Sequence, residues 1–449
     1  MGKLFGTDGV RGKAGEVLTA EMALKLGQAA GRVFLEDNGG KTGVVIIGRD
    51  TRISGQMLES ALTAGLTSVG IQVISAGVVP TPAVAFLVRA FKALAGAVIS
   101  ASHNPFEDNG IKFFSAQGTK LRDDQEAAIE AALRGEIAIE EAKGRKIGRA
   151  AQVDEAVELY KDYLGELINV NGRDYNLVVD CANGAASVLA EEVFSRANLH
   201  VKMLGDRPTG ININVDCGST HLEQLQEAVV REGADAGLAF DGDADRFLAV
   251  DEKGNVIDGD HLMAIYAKAM KEEGRLVGDQ LVVTVMSNLG LKLSMKEAGV
   301  KIVETNVGDR YVNEALQEKG AVLGGEQSGH IIFREYNSTG DGMISAIMLL
   351  NILSHKHMKL SELAAEAMTS LPQVLVNVPV AKKDGWQEVP AIQKAIAEAE
   401  AALGESGRVL VRASGTEQLL RVMVEGKDQN EIDAIAHAIA DVVREAIGA

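Results

Sequence analysis

The sequence predicts an α/β chain: three similar α/β domains with mixed, largely parallel sheets around a central cleft, plus a smaller C-terminal α+β domain. Three observations carry this. Short apolar runs alternate with helical periods from residue 19 onward, the β-α-β order that builds parallel sheets with right-handed crossovers. The run Ala95-Gly96-Ala97-Val98-Ile99 returns in altered form as Ala236-Gly237-Leu238-Ala239-Phe240 and as Gly320-Ala321-Val322-Leu323, each leading straight into a loop dense with functional groups. These copies lie too far apart for a solenoid, so they read as separate domains. After Leu371-Pro372 the pattern becomes strand, helix, strand, strand, helix. The domains are therefore expected at 1–155, 156–256, 257–370 and 371–449, with Pro372 as a hinge.

In order, Gly6-Thr7-Asp8-Gly9-Val10-Arg11-Gly12 is a glycine-rich loop whose one cation, Arg11, suits either a surface turn or a phosphate contact. Thr19 N-caps a helix with Met22, Leu26, Ala29 and Val33 on one face. Strands follow at 44–47, 71–74 and 97–99, separated by helices from 55 to 68 and from Thr81-Pro82. Residues 123–167 are rich in Ala and Glu and read as mostly helical. The second domain has strands at 177–179, 200–204, 237–240 and 247–250, with helices over 185–195 and 222–232. The third has helices over 261–271 and 310–318 and strands at 281–285, 301–304 and 322–323. The last has strands at 374–380, 408–412 and 419–424 and helices over 386–403 and 430–447.

Composition narrows the function. With 46% hydrophobic residues, the 449-residue chain can bury several cores. A net charge of −18 excludes a general nucleic-acid binder and a membrane-surface protein, so basic contacts to any anionic ligand must be local. Cys181 and Cys217 have neither the number for a disulfide framework nor metal spacing, and read as buried thiols in a reducing compartment. The start lacks the apolar core of a signal peptide, and the apolar stretch 84–94 is broken by Arg89 and Lys92. A cytoplasmic protein without membrane contact is expected.

The chemistry sits in the loops. Ser102, in Ser102-His103-Asn104-Pro105, follows the carboxyl end of a buried strand, where open α/β sheets bind ligands. Lys112 lies ten residues on, at the start of a strand-like run, placed either to fold back beside the serine or to face solvent. Asp241, Asp243 and Asp245 alternate, and on an extended backbone would project to one side. Three carboxylates so placed repel one another unless a cation sits among them, and all-oxygen ligands fit Mg²⁺. An EF-hand is rejected: Arg246 replaces the glycine of its sharp turn, and the flanks read as strands. Glu326, Ser328 and His330 offer the neutral mix of donors and acceptors that suits sugar hydroxyls. Arg412-Ala413-Ser414-Gly415-Thr416, with Arg421 on the next strand, gathers the guanidinium, hydroxyl and backbone donors of a phosphate site. A hydroxyl, a metal cage, a polyol loop and a phosphate clamp together suit phosphoryl transfer on a sugar phosphate.

On Ser-Ala-Ser-His-Asn-Pro, Asp-Gly-Asp-Ala-Asp-Arg and the opening Gly-Thr-Asp-Gly-Val-Arg-Gly, the chain resembles the α-D-phosphohexomutase superfamily over its whole length, most closely its bacterial amino-sugar branch. The resemblance implies that Ser102 is carried as a phosphoserine, and that Asp241, Asp243 and Asp245 bind one Mg²⁺ per active site together with that phosphate. It gives Lys112 and Arg246 places near the reacting groups, Lys112 as proton acceptor or donor. Glu326 and Ser328 would hold sugar hydroxyls, and Arg412, Ser414, Gly415, Thr416 and Arg421 the non-reacting phosphate. Gln418 stands where many relatives carry proline, a change that removes no ligand. The implied reaction interconverts glucosamine 6-phosphate and glucosamine 1-phosphate through a hexosamine 1,6-bisphosphate, on the route to UDP-N-acetylglucosamine. The implied partner is thus a small amino-sugar phosphate, with no nucleic acid, and a homodimer left open. Two other readings stand beside it: a mutase of neutral glucose or mannose phosphates, and a non-catalytic sugar-phosphate sensor. A sensor has no use for the nucleophile, the lysine and all three aspartates.

Overall fold

The first sheet grows from fully apolar strands that end in polar turns. In the computed structural model, which describes residues 4–6, 8–153, 155–170, 172, 174–196, 199–414 and 418–449, it contains β1 (Val10–Lys13), β2 (Val44–Arg49), β3 (Gln72–Val78), β4 (Ala95–Ile99), β5 (Asp108–Ser115) and β6 (Ala150–Gln152). The order is β1-β5-β4-β2-β3-β6; β4, β2, β3 and β6 run parallel, and β5 returns antiparallel to β4. Thr19 caps the first helix, Ala20–Asp37, its Oγ1 accepting from the Met22 N–H at 3.1 Å.

The second sheet has β7 (Asn176–Asp180), β8 (His200–Leu204), β9 (Ala236–Phe240), β10 (Phe247–Asp251) and β11 (Val256–Ile257), in the order β11-β10-β9-β7-β8. The third has β12 (Gln280–Thr284), β13 (Lys301–Thr305), β14 (Leu323–Gly325) and β15 (Ile331–Phe333), in the order β13-β12-β14-β15. The repeat seen in the sequence is a repeat of topology. Each sheet contains the same four-strand motif, β5-β4-β2-β3, β10-β9-β7-β8 and β15-β14-β12-β13, with an antiparallel hairpin at one side. The three functional loops are the three hairpin connections: β4 to β5, β9 to β10 and β14 to β15. A shared topology thus delivers Ser102, the cluster of Asp241, Asp243 and Asp245, and the loop of Glu326, Ser328 and His330 from equivalent positions.

The chain divides into two compact units, one of residues 1–286 with 299–367, the other of 287–298 with 368–449. The second unit has an antiparallel sheet of β16 (Gln373–Pro379), β17 (Arg408–Ala413) and β18 (Leu419–Glu425), ordered β16-β18-β17. The helices Pro390–Leu403 and Gln429–Ile447 contribute Ile392, Ile432 and Ile439 to a core shared with Val378, Leu420 and Val422.

Several elements differ from the expectation. Part of the opening glycine-rich loop is strand: β1 pairs antiparallel with β5, Arg11 opposite Gly110. Residues 123–167 are two helices, Asp123–Leu133 and Glu155–Leu167, separated by an irregular stretch and β6. Residues 185–195 split into a short 3₁₀ turn, Ala185–Val188, and a helix, Ala190–Ser195. The helices Leu289–Glu297, Gly342–Lys356 and Leu360–Ala367 and the strand β15 had no counterpart in the sequence reading. Gly342–Lys356 buries most of its circumference, Met343, Ile344, Ile347, Leu350 and Leu353 included, so no polar face sets a helical period.

Candidate active site

β4 carries the nucleophile candidate. Past Ile99, Ser102 adopts a left-handed backbone (φ 52°) and is 2% exposed. Its Oγ–H donates to Asp241 Oδ2 at 2.6 Å and lies 3.3 Å from His103 Nδ1. Its N–H donates to Ser100 Oγ (2.9 Å), which itself donates to Asp50 Oδ2 (2.6 Å). Burial, with Arg246 and Arg11 nearby, pushes the His103 imidazole down to about 4, so the ring beside Ser102 is neutral at physiological pH.

Asp241, Asp243 and Asp245 do converge, but not by strand alternation. The segment is a turn: the Ala244 N–H donates to Asp241 O (3.0 Å) and Ala244 has φ 53°. One oxygen from each carboxylate lies within 4.8 Å of the others, and all three residues are buried. Burial, and then repulsion from Asp245 and Asp243, holds the Asp241 carboxyl well above the usual carboxylate range. Asp243 Oδ1 and Asp245 Oδ1 are buried without a hydrogen-bond donor. Orphaned anionic oxygens in a buried cluster fit a hard divalent cation. Gly242 lets this turn approach the serine, since a Cβ there would lie 2.5 Å from Ser102 O.

Lys112, in the middle of β5, donates to Asp243 Oδ2 (2.8 Å) and lies 3.8 Å from Asp245 Oδ2. Burial alone would lower its pKa, but Asp243, Asp245 and Asp8 outweigh that and raise it, so the side chain is an ammonium. Thr81 Oγ1 also donates to Asp243 Oδ2 (2.6 Å). The Arg246 N–H donates to Asp241 Oδ1 (3.2 Å), and Arg246 Nε lies 4.0 Å from Asp245 Oδ1. Arg11 pairs with Asp8 at 3.1 Å; Lys120 joins Asp8 to Asp309 at 2.7 Å each.

Ser102, Lys112, Arg246, Arg11, Glu326 and His330 line one cavity of about 160 Å³. Glu326 Oε1 accepts from the Gly308 N–H (3.0 Å), and burial raises its pKa. Ser328 is exposed and does not line this cavity. His330, expected among sugar ligands, is buried with Nδ1 3.6 Å from Asp245 Oδ2 and Nε2 3.7 Å from Asp309 Oδ2. The neutral ring, with its proton on Nδ1, accepts the Gly340 N–H at Nε2 (3.2 Å), a bond that the charged ring gives up.

Burial opposes the charged His330 ring, but Asp245, Asp309 and Glu326 outweigh it and push it up to about 9 from 6.5. A raised folded-state value stabilises the fold fully below pH 6.5, and that contribution is lost as pH rises through about 9. In chelator, the melting temperature should therefore fall from pH 6.5 to 9 more steeply for the parent chain than for His330→Asn. Parallel curves would remove His330 as the source.

In the second unit, Arg412 on β17 pairs directly across the sheet with Arg421 on β18. Like charges directly opposite repel. Burial and then Arg421 lower the Arg412 pKa, and an anion between the two relieves the repulsion. Ser414 is buried, its N–H donating to Leu419 O (3.0 Å) and its carbonyl accepting from Lys383 Nζ (2.9 Å). Gly415 and Thr416 lie outside the described residues. Lys383 is a cation the sequence reading missed, thirty-one positions before Ser414. Thr81, Asp8, Lys120 and Asp309 were missed too. Thr81 and Asp309 open helices and Lys120 is an isolated lysine, none with a spacing signal, while Asp8 sits in the opening glycine-rich run, where Arg11 was singled out instead.

Family models match the four segments in chain order. Phosphoglucomutase/phosphomannomutase alpha/beta/alpha domains I, II and III match residues 2–139, 158–254 and 258–371, and the C-terminal domain of that family matches 375–442. A phosphoglucosamine mutase of Carboxydothermus hydrogenoformans is 52% identical over 444 residues, 99% of both chains. A crystal structure of a phosphoglucomutase/phosphomannomutase family protein from Burkholderia thailandensis superposes with a TM-score of 0.83 at 26% identity, covering 99% of this chain and 97% of that one. The fold is shared also with an Aspergillus fumigatus N-acetylphosphoglucosamine mutase crystallised with GlcNAc-6P and magnesium, at TM-score 0.72 and 20% identity, covering 99% of this chain and 96% of that one. With all four domain models matched in order and half its residues shared with a full-length relative, the chain belongs to the phosphoglucomutase/phosphomannomutase family of α-D-phosphohexomutases.

Proposed function

We propose that Ser102 carries the phosphoryl group of a phosphoglucosamine mutase, the activity borne by the full-length relative at 52% identity. The observation that carries the site assignment is the 2.6 Å bond from Ser102 Oγ to Asp241, inside a buried carboxylate cluster that fits a divalent cation. Asp241, Asp243 and Asp245 would hold Mg²⁺; when bound, it would offset the charge of a phosphoryl group on Ser102.

In the first half-reaction, O1 of glucosamine 6-phosphate attacks phosphorus. The phosphorus–Oγ bond breaks and the 1,6-bisphosphate forms. In the second, Ser102 Oγ attacks the 6-phosphoryl and releases glucosamine 1-phosphate. O1 must lose its proton as it attacks, and O6 must gain one as it leaves phosphorus. Lys112 lines the same cavity as Ser102, and with Mg²⁺ sharing the aspartates it is the candidate to take the first proton and give the second. Arg246 and Arg11 face the same cavity and suit the incoming anion. Glu326 supplies an acceptor for sugar hydroxyls; Ser328 would serve only from the rim. To Arg412, Ser414 and Arg421, with Gly415 and Thr416, we assign the phosphate that is not reacting. The cytoplasm is the expected setting, and no helix among the described residues is long and apolar enough to cross a membrane.

Initial rates on glucosamine 6-phosphate and glucose 6-phosphate test the substrate. The expected result is a kcat/KM at least about tenfold higher for the amino sugar, the low end of what one added polar contact discriminates. Equal or reversed values favour a neutral-hexose mutase.

A further inference from the structure

The Ser102 loop is gripped by two residues that take no part in the chemistry described above. Arg52, 1% exposed and just past β2, donates Nη2 to the carbonyls of Ser102 (2.8 Å) and Asn104 (2.9 Å) and Nη1 to that of Pro105. Its Nε donates to Asp50 Oδ2 at 2.9 Å, which sets the plane of the fork. From the second domain, Asn214 Nδ2 donates to the same Ser102 and Asn104 carbonyls, at 2.9 and 3.0 Å. Asn214 is itself fixed by its N–H bond to Ala182 O (2.9 Å).

We infer that Arg52 and Asn214 are a positioning pair that aims the Ser102 side chain by holding its peptide from two domains at once. Serine at φ 52° is in the left-handed region that an L-residue disfavours, so this conformation persists only if its surroundings over-determine it. Two donors on the Ser102 carbonyl do so, and Gly242 leaves them the space, since a Cβ there would lie 2.5 Å from that carbonyl oxygen. The clamp also turns the carbonyls of residues 102, 104 and 105 onto buried donors, so that no released carbonyl dipole faces the anionic phosphoryl group. The metal loop, Asn214 and the serine loop thereby share one register across the domain boundary. A misplacement of about 1 Å at a reacting atom costs on the order of a hundredfold in rate.

The inference rests on Ser102 being the phosphoryl carrier, and the experiment separates the two. The phosphorylated parent enzyme, Asn214→Ala and Arg52→Lys are each assayed for kcat, for KM on glucosamine 6-phosphate, and for release of inorganic phosphate without sugar. In that release water attacks phosphorus, the phosphorus–Oγ bond breaks and Oγ takes up a proton given up by the water. Asn214→Ala removes one neutral hydrogen-bonding pair and should lower kcat about tenfold, with KM within about twofold. Arg52→Lys keeps the charge beside Asp50 but loses the fork, and should lower kcat about a hundredfold. In both, phosphate release from Ser102 should change several-fold, which a loss of stability alone does not produce in the folded fraction. Should Arg52→Lys not fold, Asn214→Ala decides. A normal kcat and normal phosphate release in Asn214→Ala, or a KM rising while kcat holds, overturns the positioning role. A fully active parent with no phosphate on Ser102 overturns the carrier reading instead, and this inference with it.

Discussion

Ser102→Ala is expected to lower kcat by about three orders of magnitude or more, the usual cost of removing a nucleophile. The change deletes one oxygen from a buried site and removes the donor to Asp241 Oδ2, while the Arg246 N–H still reaches Oδ1, so the fold should survive. The matching expectation is that mass spectrometry of the active enzyme finds phosphate on Ser102 and not on Ser100. Ser100 is fully buried, its hydroxyl fixed between Asp50 and the Ser102 N–H, and unlike Ser102 it does not line the cavity. Phosphate on Ser100, or a Ser102→Ala enzyme of ordinary rate, would show that the loop was read wrongly.

Asp243→Asn should be the next most damaging change. Asp243 Oδ2 takes donors from Lys112 and Thr81, while its Oδ1 is buried without one, the oxygen left for a cation. The amide cannot supply a second anionic oxygen, and its NH₂ faces donors it cannot satisfy. The expected result is a kcat lower by about two to three orders of magnitude, with a higher Mg²⁺ concentration needed for half activation. A Mg²⁺ titration of the variant checks this. An unchanged half-activation concentration would place the metal elsewhere.

Much of this site was legible before the structure because its residues come in runs. Serine after a buried strand, three alternating aspartates and a Gly-Ser-Arg loop each announce a chemistry within five or six positions. The topological repeat was legible too, because a similar small apolar run leads into the functional loop of each copy. The reason given for the aspartates was nevertheless wrong. They meet because the chain curls at Ala244, and a left-handed alanine leaves no mark in the sequence. His330 lines the cavity and also faces Asp245 and Asp309, contacts that its own loop does not announce. Arg52 and Asn214 were invisible for the same reason. Their targets are backbone carbonyls, which every residue has, so no residue type signals the contact. Helix Gly342–Lys356 escaped because burial on nearly all sides erases amphipathic periodicity.

The central claim is that a phosphoryl group passes from Ser102 to the sugar and back. The most direct measurement is a single turnover with enzyme labelled by radioactive phosphate on Ser102, mixed with unlabelled glucosamine 6-phosphate and quenched on the millisecond scale. Label should leave the protein as fast as product forms, appear first in the 1,6-bisphosphate and then be shared with the monophosphates. Label that stays on the protein through many turnovers, or leaves only as inorganic phosphate, would contradict it.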